Sequence, residues 1–282
     1  MAHIITEKTK LNHVMWKMVI EAPYVARAAL AGQFIVLKID EKGERIPLTV
    51  NDADPATGLV TIIFQEAGAT TKRLGCLKAG DTLSDVLGPL GKATHFGNVG
   101  DVALVAGGVG IAEILPVARY AKRERNRVTT IIGARTKELL ILEKELRACS
   151  DALIVTTDDG SYGRKALVTE PLKEALSAKT YGVCYAVGPD IMMKAVCAAT
   201  LPFKVKTFVS LDANMVDATG MCGTCRVTVG GVSKFTCVDG PEFDGHLIDW
   251  DEFLKRQKRF IVEEKASLEA FEHQHANCMY KG

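Results

Sequence analysis

The sequence lacks a strong charge of either sign. Its 282 residues carry 35 Lys and Arg against 34 Asp and Glu, which gives a formal net charge of +1. No basic stripe or lysine-rich run is present, so neither a nucleic acid nor an anionic membrane surface is expected as a partner. Small molecules and other proteins remain as candidate partners.

The chain also lacks a segment that resembles a secretory leader or a membrane span. Residues 1–8 show no basic stretch followed by an apolar one. The stretch from Val99 to Ala118 is long and apolar, yet it contains Asp101, Glu113 and Pro116, so a strand, a loop and a helix are predicted there. We therefore expect no membrane partner and a cytoplasmic location.

The eight cysteines are not arranged as the disulfide framework of an exported protein. Three of them belong to one short motif, in which four, two and eleven residues separate Asp217, Cys222, Cys225 and Cys237. The other five are scattered, and we expect them to be thiols in a reducing cytoplasm: Cys76, Cys149, Cys184, Cys197 and Cys278.

The spacing of the motif is that of a plant-type [2Fe–2S] cluster with its first cysteine replaced by aspartate. Thiolates are the soft donors that such clusters require, and Gly220 and Gly223 let the backbone fold tightly and direct N–H groups at the sulfurs. A zinc site is the alternative, because Cys-x2-Cys also begins many zinc ribbons; those usually add a second pair, whereas only Cys237 follows here. Unligated thiols are a third possibility. The pattern favours a cluster and electron transfer.

The first hundred residues predict a small antiparallel β-barrel, because apolar, β-branched runs at 14–20, 33–39 and 59–64 are separated by Gly, Pro, Asp and Asn. From residue 101, short continuous apolar runs alternate with helical stretches, which is typical of parallel strands buried between helices. Strands are expected at 102–106, 128–132, 152–156 and 183–187, and helices near 112–123, 137–148, 169–177, 191–199 and 251–271.

Glycine-rich segments follow the predicted parallel strands. After the first strand, missing side chains would let backbone N–H groups approach a pyrophosphate at a helix N-terminus, along Gly107, Gly108, Val109, Gly110 and Ile111. This is not the common Gly-x-Gly-x-x-Gly spacing, and such turns also serve packing alone. Two more segments follow later strands, where open α/β sheets bind ligands: Asp158-Asp159-Gly160, and Gly188-Pro189 with Met192.

The barrel half contains three further motifs. A polar strand carries Pro47-Leu48-Thr49, a segment with small and hydroxyl side chains contains Gly68, Thr70 and Thr71, and Gly88-Pro89-Leu90-Gly91 ends the region. In their order along nearly the whole chain, these motifs and the later ones resemble the ferredoxin-NADP reductase superfamily. The resemblance implies three domains: a β-barrel FAD domain, an α/β doubly wound nucleotide-binding domain and a small C-terminal [2Fe–2S] domain. The expected boundaries are 1–98 for the FAD-binding barrel, 99–207 for the NAD-binding domain, 208–248 for the cluster domain and 249–282 for a C-terminal tail.

The resemblance also implies roles for single residues around FAD. Pro47, Leu48 and Thr49 would line the flavin ring, with Thr49 near N5, the atom that accepts hydride, while Gly68, Thr70 and Thr71 would hold the diphosphate. The superfamily pattern places arginine three residues before Thr49, where this chain has Ile46. The role of the preceding Arg45 on the FAD phosphate therefore stays open.

For NAD(H), the resemblance implies contacts along the glycine segments and at Arg135. Arg135, Arg164 and Lys165 could also bind a 2′-phosphate, so the preference for NADH rests on the resemblance. The implied nucleotide residues are Gly107, Gly108, Val109, Gly110, Ile111, Arg135, Asp158, Asp159, Gly160, Gly188, Pro189 and Met192. The implied metal ligands are Asp217, Cys222, Cys225 and Cys237.

Asp217 distinguishes two branches of the superfamily. Electron-transfer subunits of dihydroorotate dehydrogenase resemble this chain but have cysteine there, whereas aspartate with three cysteines is associated with the small subunit of NADH-dependent reduced ferredoxin:NADP oxidoreductase. The second branch implies an NAD(H)-dependent subunit that passes electrons through FAD and a [2Fe–2S] cluster to a larger flavin/iron–sulfur subunit, in flavin-based electron bifurcation. The dihydroorotate system is the alternative, and a zinc-ribbon interaction module on a nucleotide-sensing domain is a rival of another class. No general acid, nucleophile or triad is predicted, and the apolar tail is expected to bind the partner.

Overall fold

The structure is a computed structural model and describes residues 3–274. Its first part is a near-closed antiparallel barrel whose strands follow the order β6-β1-β2-β5-β4-β3-β7. The alternating and β-branched runs bury one core, which includes Met18, Ile35 and Ile62. The elements are β1 His3–Lys10, β2 Met15–Glu21, α1 Pro23–Ala28, β3 Phe34–Lys38, β4 Arg45–Asp54, β5 Leu59–Gln65, α2 Ala69–Cys76, β6 Thr82–Leu83 and β7 Asp85–Leu90.

The second part is an α/β unit with a largely parallel sheet in the order β11-β10-β9-β8-β12-β13-β16. Helices cover the sheet, and all residues of β8 are buried, which explains its unbroken apolar run. The elements are β8 Asp101–Gly107, α3 Gly110–Arg123, β9 Arg127–Ala134, α4 Glu143–Ala148, β10 Ala152–Thr157, β11 Arg164–Lys165, α5 Thr169–Ala178, β12 Val183–Val187, α6 Asp190–Thr200 and β13 Lys206–Ser210. The predicted barrel and α/β unit are confirmed.

The helix expected at 137–148 is wrong in its extent. A single 3-10 turn forms at Lys137–Leu139, and α4 begins only at Glu143. Between them Leu142 adopts a left-handed backbone conformation with φ 55°, which interrupts a right-handed helix.

The third part carries the cysteine motif. A hairpin of β14 and β15 turns at Gly230 and Gly231, which both have positive φ, as a two-residue hairpin turn requires. The last strand, β16, pairs antiparallel with β13 and so extends the nucleotide-domain sheet. The elements are β14 Arg226–Val229, β15 Val232–Phe235, α7 Thr236–Asp239, β16 Glu242–Asp244, α8 Trp250–Gln257 and α9 Ile261–Gln274. The expected boundary after residue 207 falls within β13, and we propose to place it after Ser210.

The tail consists of two helices in the described residues, whereas a single helix at 251–271 was expected. Trp250 and Phe253 of α8 are buried in a core that they share with the nucleotide and cluster parts. These side chains are therefore not available to a partner. Partner binding remains a prediction for α9, where Ile261 and Val262 are exposed.

The structure bears on two expectations from the sequence: that no segment spans a membrane, and that the scattered cysteines are free thiols. Within residues 3–274, no helix combines the length and the apolar character that a membrane crossing needs. Cys149, Cys184 and Cys197 are free thiols, as expected, but Cys76 is disulfide-bonded, so the expectation of a thiol at that position is wrong. Cys278 lies outside the described residues.

Glu242 connects the three parts. Its Oε1 accepts hydrogen bonds from Tyr185 of β12, at 2.7 Å, and from Thr94, which follows the barrel. Burial raises the pKa of Glu242 from 4.5 to about 7, although the bonds from Thr94 and Tyr185 oppose the shift. A carboxyl group at the junction is therefore protonated in mildly acidic solution.

We expect Glu242→Gln to remove a pH dependence of stability. Between pH 4.5 and about 7 the native state binds the proton of Glu242 more tightly than the unfolded chain does. The free energy of unfolding of the wild type therefore falls as pH rises through this window. Glutamine keeps an acceptor without the charge. The free energy of unfolding of the variant, relative to that of the wild type, should therefore rise by roughly 1–3 kcal/mol from pH 5 to pH 8. Denaturant unfolding at both pH values checks this, and a constant difference between the two proteins would contradict it.

Candidate functional site

A tight loop brings Asp217 and Cys222 together. The Asp217 carboxylate accepts hydrogen bonds from the backbone N–H of Thr219, at 2.9 Å, and of Cys222, at 2.6 Å. Ala218 and Gly220 have φ of 59° and 86°, a left-handed geometry that costs an alanine about 1 kcal/mol or more. The carboxylate bonds hold the loop in this shape, and the bond from Thr219 is the largest cause of a lowered pKa of Asp217.

The remaining thiols lie close to each other. Cys225 and Cys237 are buried, with 3.3 Å between their sulfurs, and the backbone N–H of Cys237 donates to the Cys225 sulfur at 3.5 Å. The Thr236 hydroxyl donates to the Cys225 carbonyl oxygen at 2.8 Å, which fixes α7 against the start of β14. Cys222 is exposed, and its sulfur accepts the N–H of Thr224 at 3.5 Å.

These residues fit an iron–sulfur cluster. Burial raises the pKa of Cys237, and its neighbour Cys225 adds to the shift, so two buried thiols side by side gain greatly from binding a cation as thiolates. Backbone N–H groups already point at two of the sulfurs, as they do around such clusters. Among residues 3–274, no three His, Cys, Asp or Glu side chains are arranged to hold a single metal ion.

The residues expected around the flavin ring lie on β4. Pro47, Leu48 and Thr49 pair with Val36, Ile35 and Phe34 of β3 in the barrel wall. Arg45 begins the same strand, where its guanidinium lies 3.6 Å from Asp85 and is largely exposed.

The residues expected at the FAD diphosphate form the start of α2. Gly68 is the residue before the helix, and the Thr71 hydroxyl oxygen accepts its backbone N–H at 3.0 Å. The Thr70 hydroxyl donates to Glu44 at 2.7 Å. The first turn of α2 presents backbone N–H groups, which suit an anion.

The two glycine segments after β8 and β12 are in contact. A methyl group added at Gly107 would lie 2.5 Å from the Met192 sulfur, and one at Gly188 would lie 2.7 Å from the Gly107 carbonyl oxygen. At Gly110, the first residue of α3, it would lie 2.5 Å from the Val187 carbonyl oxygen. Glycine is therefore required here for close packing, and the structure brings Gly107–Ile111 and Gly188–Met192 to one edge of the sheet.

A second group lies at the ends of β9 and β10. The N–H groups of Asp158 and Asp159 donate to the carbonyl oxygens of Ala134 and Arg135, at 3.1 and 3.2 Å. The Arg135 side chain is exposed. A cavity of about 290 Å³ lies nearby, with a lining of Lys137, Leu140, Ile141, Leu142, Glu143 and Tyr162.

Arg164 and Lys165, which could bind a 2′-phosphate, have different surroundings. Arg164 is held in a two-bond ion pair with Glu174, with both N···O distances at 2.6 Å. Lys165 packs its stem against Gly160. Only breaking its ion pair would free the Arg164 guanidinium for a phosphate.

Sequence reasoning missed the connection between the two halves of the site. Glu113, in the first turn of α3, lies close enough to the Thr49 side chain of β4 for Thr49 to lower the pKa of its carboxyl group. The adjacent Ala112 carbonyl oxygen accepts from Asn51 at 2.6 Å, and Arg119 pairs with Asp52 at 3.0 Å. The signal was present, because Glu113 is the only charged residue between positions 102 and 118.

The environment of Glu113 changes its acidity. Burial raises the pKa of Glu113 to about 7, the charge of Asp212 contributes, and the Thr49 side chain opposes the rise. Burial also raises the pKa of Asp190 to about 6, and Gln257 donates to its carboxylate at 3.3 Å. The contact between the barrel and α3 therefore contains a carboxyl group that can exchange a proton near neutral pH.

Comparisons with known proteins agree with this geometry. Residues 212–249 match the iron–sulfur cluster binding domain of dihydroorotate dehydrogenase B, and residues 104–198 match an oxidoreductase NAD-binding domain. The chain is 48% identical over 267 residues to a dihydroorotate dehydrogenase B (NAD(+)) electron transfer subunit homolog of Thermotoga maritima, covering 95% of this chain and 94% of that protein. It is 30% identical to the corresponding subunit of Desulforamulus reducens, over 83% and 92% of the two chains.

Solved structures of two other proteins are similar to this chain. A chain from the structure of NADH-dependent reduced ferredoxin-NADP oxidoreductase superposes with a TM-score of 0.91 at 46% identity, covering 96% of this chain and 98% of that chain. Phthalate dioxygenase reductase, at 17% identity and a TM-score of 0.61, shares the fold. This chain therefore belongs to the family of dihydroorotate dehydrogenase B electron-transfer subunits and their homologues, NAD-dependent iron–sulfur flavoproteins with the ferredoxin reductase-like fold.

Proposed function

We propose that this chain passes electrons between NAD(H) and a larger flavin/iron–sulfur oxidoreductase subunit. FAD would be held by the barrel, and a [2Fe–2S] cluster by Asp217, Cys222, Cys225 and Cys237. The observation that carries the proposal is the grouping of Cys225 and Cys237, 3.3 Å apart, with the Asp217–Cys222 loop. This donor set would suit a cluster, and it lies in a chain that also has the glycine turns of a nucleotide domain.

The cofactors supply the conversion of electron number, because FAD accepts a hydride as an electron pair and the cluster takes electrons singly. The protein supplies binding and orientation. The Gly107–Gly110 turn leads into α3, whose first-turn N–H groups would suit a pyrophosphate, and the first turn of α2 offers N–H groups to the FAD diphosphate. Thr49 lies on the strand that would support the flavin ring.

Glu113 gives the chain a place to hold a proton beside that strand. Its carboxyl group lies near the Thr49 side chain, and burial raises its pKa to about 7, so it holds a proton for much of the time in neutral solution. A group with a pKa near the working pH both accepts and releases protons readily. Glu113 would thus take up or release a proton at the contact between the barrel and α3.

In the complete complex we propose ferredoxin/NADP transhydrogenation by flavin-based electron bifurcation. The similarity to a chain of NADH-dependent reduced ferredoxin-NADP oxidoreductase supports this assignment, as does aspartate at position 217. The alternative is the electron-transfer subunit of an NAD-dependent dihydroorotate dehydrogenase, which the names of several relatives favour.

We expect one FAD and one [2Fe–2S] cluster per chain after anaerobic purification. Flavin extraction and analysis of iron, sulfide and zinc measure both. A chain without flavin after reconstitution would end the reductase assignment, and a colourless protein with stoichiometric zinc would favour the zinc-ribbon alternative.

The partner can be identified by purification of the tagged chain from its own cells. We expect a larger flavin/iron–sulfur subunit to accompany it, and the complex to reduce NADP with reduced ferredoxin in an NADH-dependent manner. If the purified complex instead reduces NAD with dihydroorotate and has no activity with ferredoxin, the alternative is correct.

A further inference from the structure

A residue outside the cysteine motif holds the turn between Cys222 and Cys225. Arg256 of α8 donates from Nη2 to the carbonyl oxygens of Gly223, at 3.3 Å, and of Thr224, at 3.1 Å. These are the two residues that separate the cysteines. One guanidinium therefore fixes two successive peptide groups of the turn.

The position of Arg256 is itself fixed. Asp249 caps α8 by accepting the N–H of Glu252 at 2.9 Å, and Phe253 is buried one turn before Arg256. The next residue, Gln257, donates to the Asp212 carbonyl oxygen at 2.5 Å. The guanidinium thus has little freedom to leave the turn.

The hydrogen bonds to Arg256 set the direction of the opposite side of each peptide. In a trans peptide the C=O and the N–H point in opposite directions. The Gly223 carbonyl points at Arg256, and the N–H of the same peptide, on Thr224, donates to the Cys222 sulfur at 3.5 Å. Arg256 therefore directs an N–H group at a sulfur without touching that sulfur.

The charge of Arg256 is incompletely compensated by the described residues. Its Nε is buried and has no hydrogen-bond partner among residues 3–274. Burial lowers the pKa of Arg256, and Arg259 and Arg226 lower it further, whereas negative charge on Glu252 and Cys225 opposes the change. A partly buried cation is stabilised by nearby negative charge, and thiolates around an iron–sulfur cluster would supply it at Cys225.

We propose that Arg256 is a positioning residue for the cluster, which orients the Gly223 and Thr224 peptides and favours the reduced state of the cluster by its positive charge. The inference rests on the proposed cluster site. Reduction adds one negative charge to the cluster, so a nearby cation and N–H groups directed at sulfur both raise its reduction potential.

Three variants of the full-length chain test this, each purified anaerobically with its FAD and cluster. Arg256→Gln removes the charge. Arg256→Lys keeps the charge on a shorter side chain without the planar guanidinium, whose Nη2 donates to both carbonyls. Lys255→Gln removes a charge from the exposed neighbour on the same helix. Redox titration followed by EPR gives the midpoint potential of the cluster, and transfer of iron to a chelator gives its retention.

We expect a more negative midpoint potential and roughly 10- to 100-fold weaker iron retention in Arg256→Gln. Arg256→Lys should restore most of the potential but not the retention, and Lys255→Gln should match the wild type in both. A wild-type potential in Arg256→Gln would overturn the proposal. If Arg256→Gln fails to assemble, Arg256→Lys decides, because a lysine variant with wild-type iron retention would equally overturn it. A wild-type chain without iron and sulfide would instead refute the proposed cluster site, and this inference with it.

Discussion

Asp217→Ala should give a protein that binds FAD and reacts with NADH but loses iron readily. Asp217 closes the loop through Thr219 and Cys222, and it occupies the position of the first ligand of the plant-type motif. Removing a ligand should weaken iron retention by more than the roughly 10- to 100-fold that is typical of changes to outer-shell partners. Iron analysis after gel filtration, together with EPR of the reduced protein, measures the loss.

Asp217→Cys and Asp217→Asn serve as matched variants. Cysteine should keep a cluster with a shifted spectrum and potential, because a thiolate donates more electron density than a carboxylate. Asparagine keeps the shape of the side chain but only one acceptor oxygen, so it can keep one of the two loop hydrogen bonds, which Oδ1 and Oδ2 of Asp217 accept separately. If Asp217→Ala keeps the wild-type cluster spectrum and potential, aspartate is not a ligand, and the main ground for preferring the ferredoxin:NADP branch disappears.

NADH should reduce the bound FAD at least about 100-fold faster than NADPH does. The exposed Asp158 and Asp159 would lie near the ribose and repel a 2′-phosphate, and opposed like charges cost several kcal/mol. Arg164, which could compensate, is held by Glu174. Stopped-flow bleaching of the flavin with each nucleotide measures the ratio.

Glu174→Gln provides a sharper version of this experiment. The change removes the carboxylate bonded to Arg164 at 2.6 Å and leaves only Glu170, at 3.9 Å, beside it. Arg164 should therefore become more available, and the rate with NADPH should increase with little change for NADH. Lys173→Gln, at the exposed neighbouring position on α5, is the control and should leave both rates unchanged. Equal wild-type rates, or a faster reaction with NADPH, would show that the NADH assignment is wrong.

Local patterns in the sequence were sufficient to predict most of the fold. The β-branched runs of β2 and β5 predict a barrel, because such side chains fit a half-buried sheet. The unbroken apolar run of β8, followed at once by Gly107–Gly110, predicts a buried parallel strand and a ligand-binding turn. Helix breaks were harder to predict, because the left-handed Leu142 has no distinctive local sequence.

Contacts between distant segments limited the prediction of the site. The four cysteine-motif residues are close in sequence, and their spacing alone indicates the chemistry. The interaction between Thr49 and Glu113 and the hydrogen bond between Arg256 and Gly223 join segments far apart in the chain, so no local pattern reports them. The pairing of β16 with β13 is likewise a tertiary contact, which explains why the expected boundary cut through a strand.

The most direct test of the account is the anaerobic reduction of the purified chain by excess NADH, followed by optical spectroscopy and low-temperature EPR. We expect the flavin to bleach and the EPR signal of a reduced [2Fe–2S] cluster to appear without any partner protein. Dithionite serves as the control that establishes how much cluster can be reduced. A flavin that NADH bleaches while the cluster stays oxidised, in a sample whose cluster dithionite reduces fully, would contradict electron transfer through FAD to the cluster of this chain.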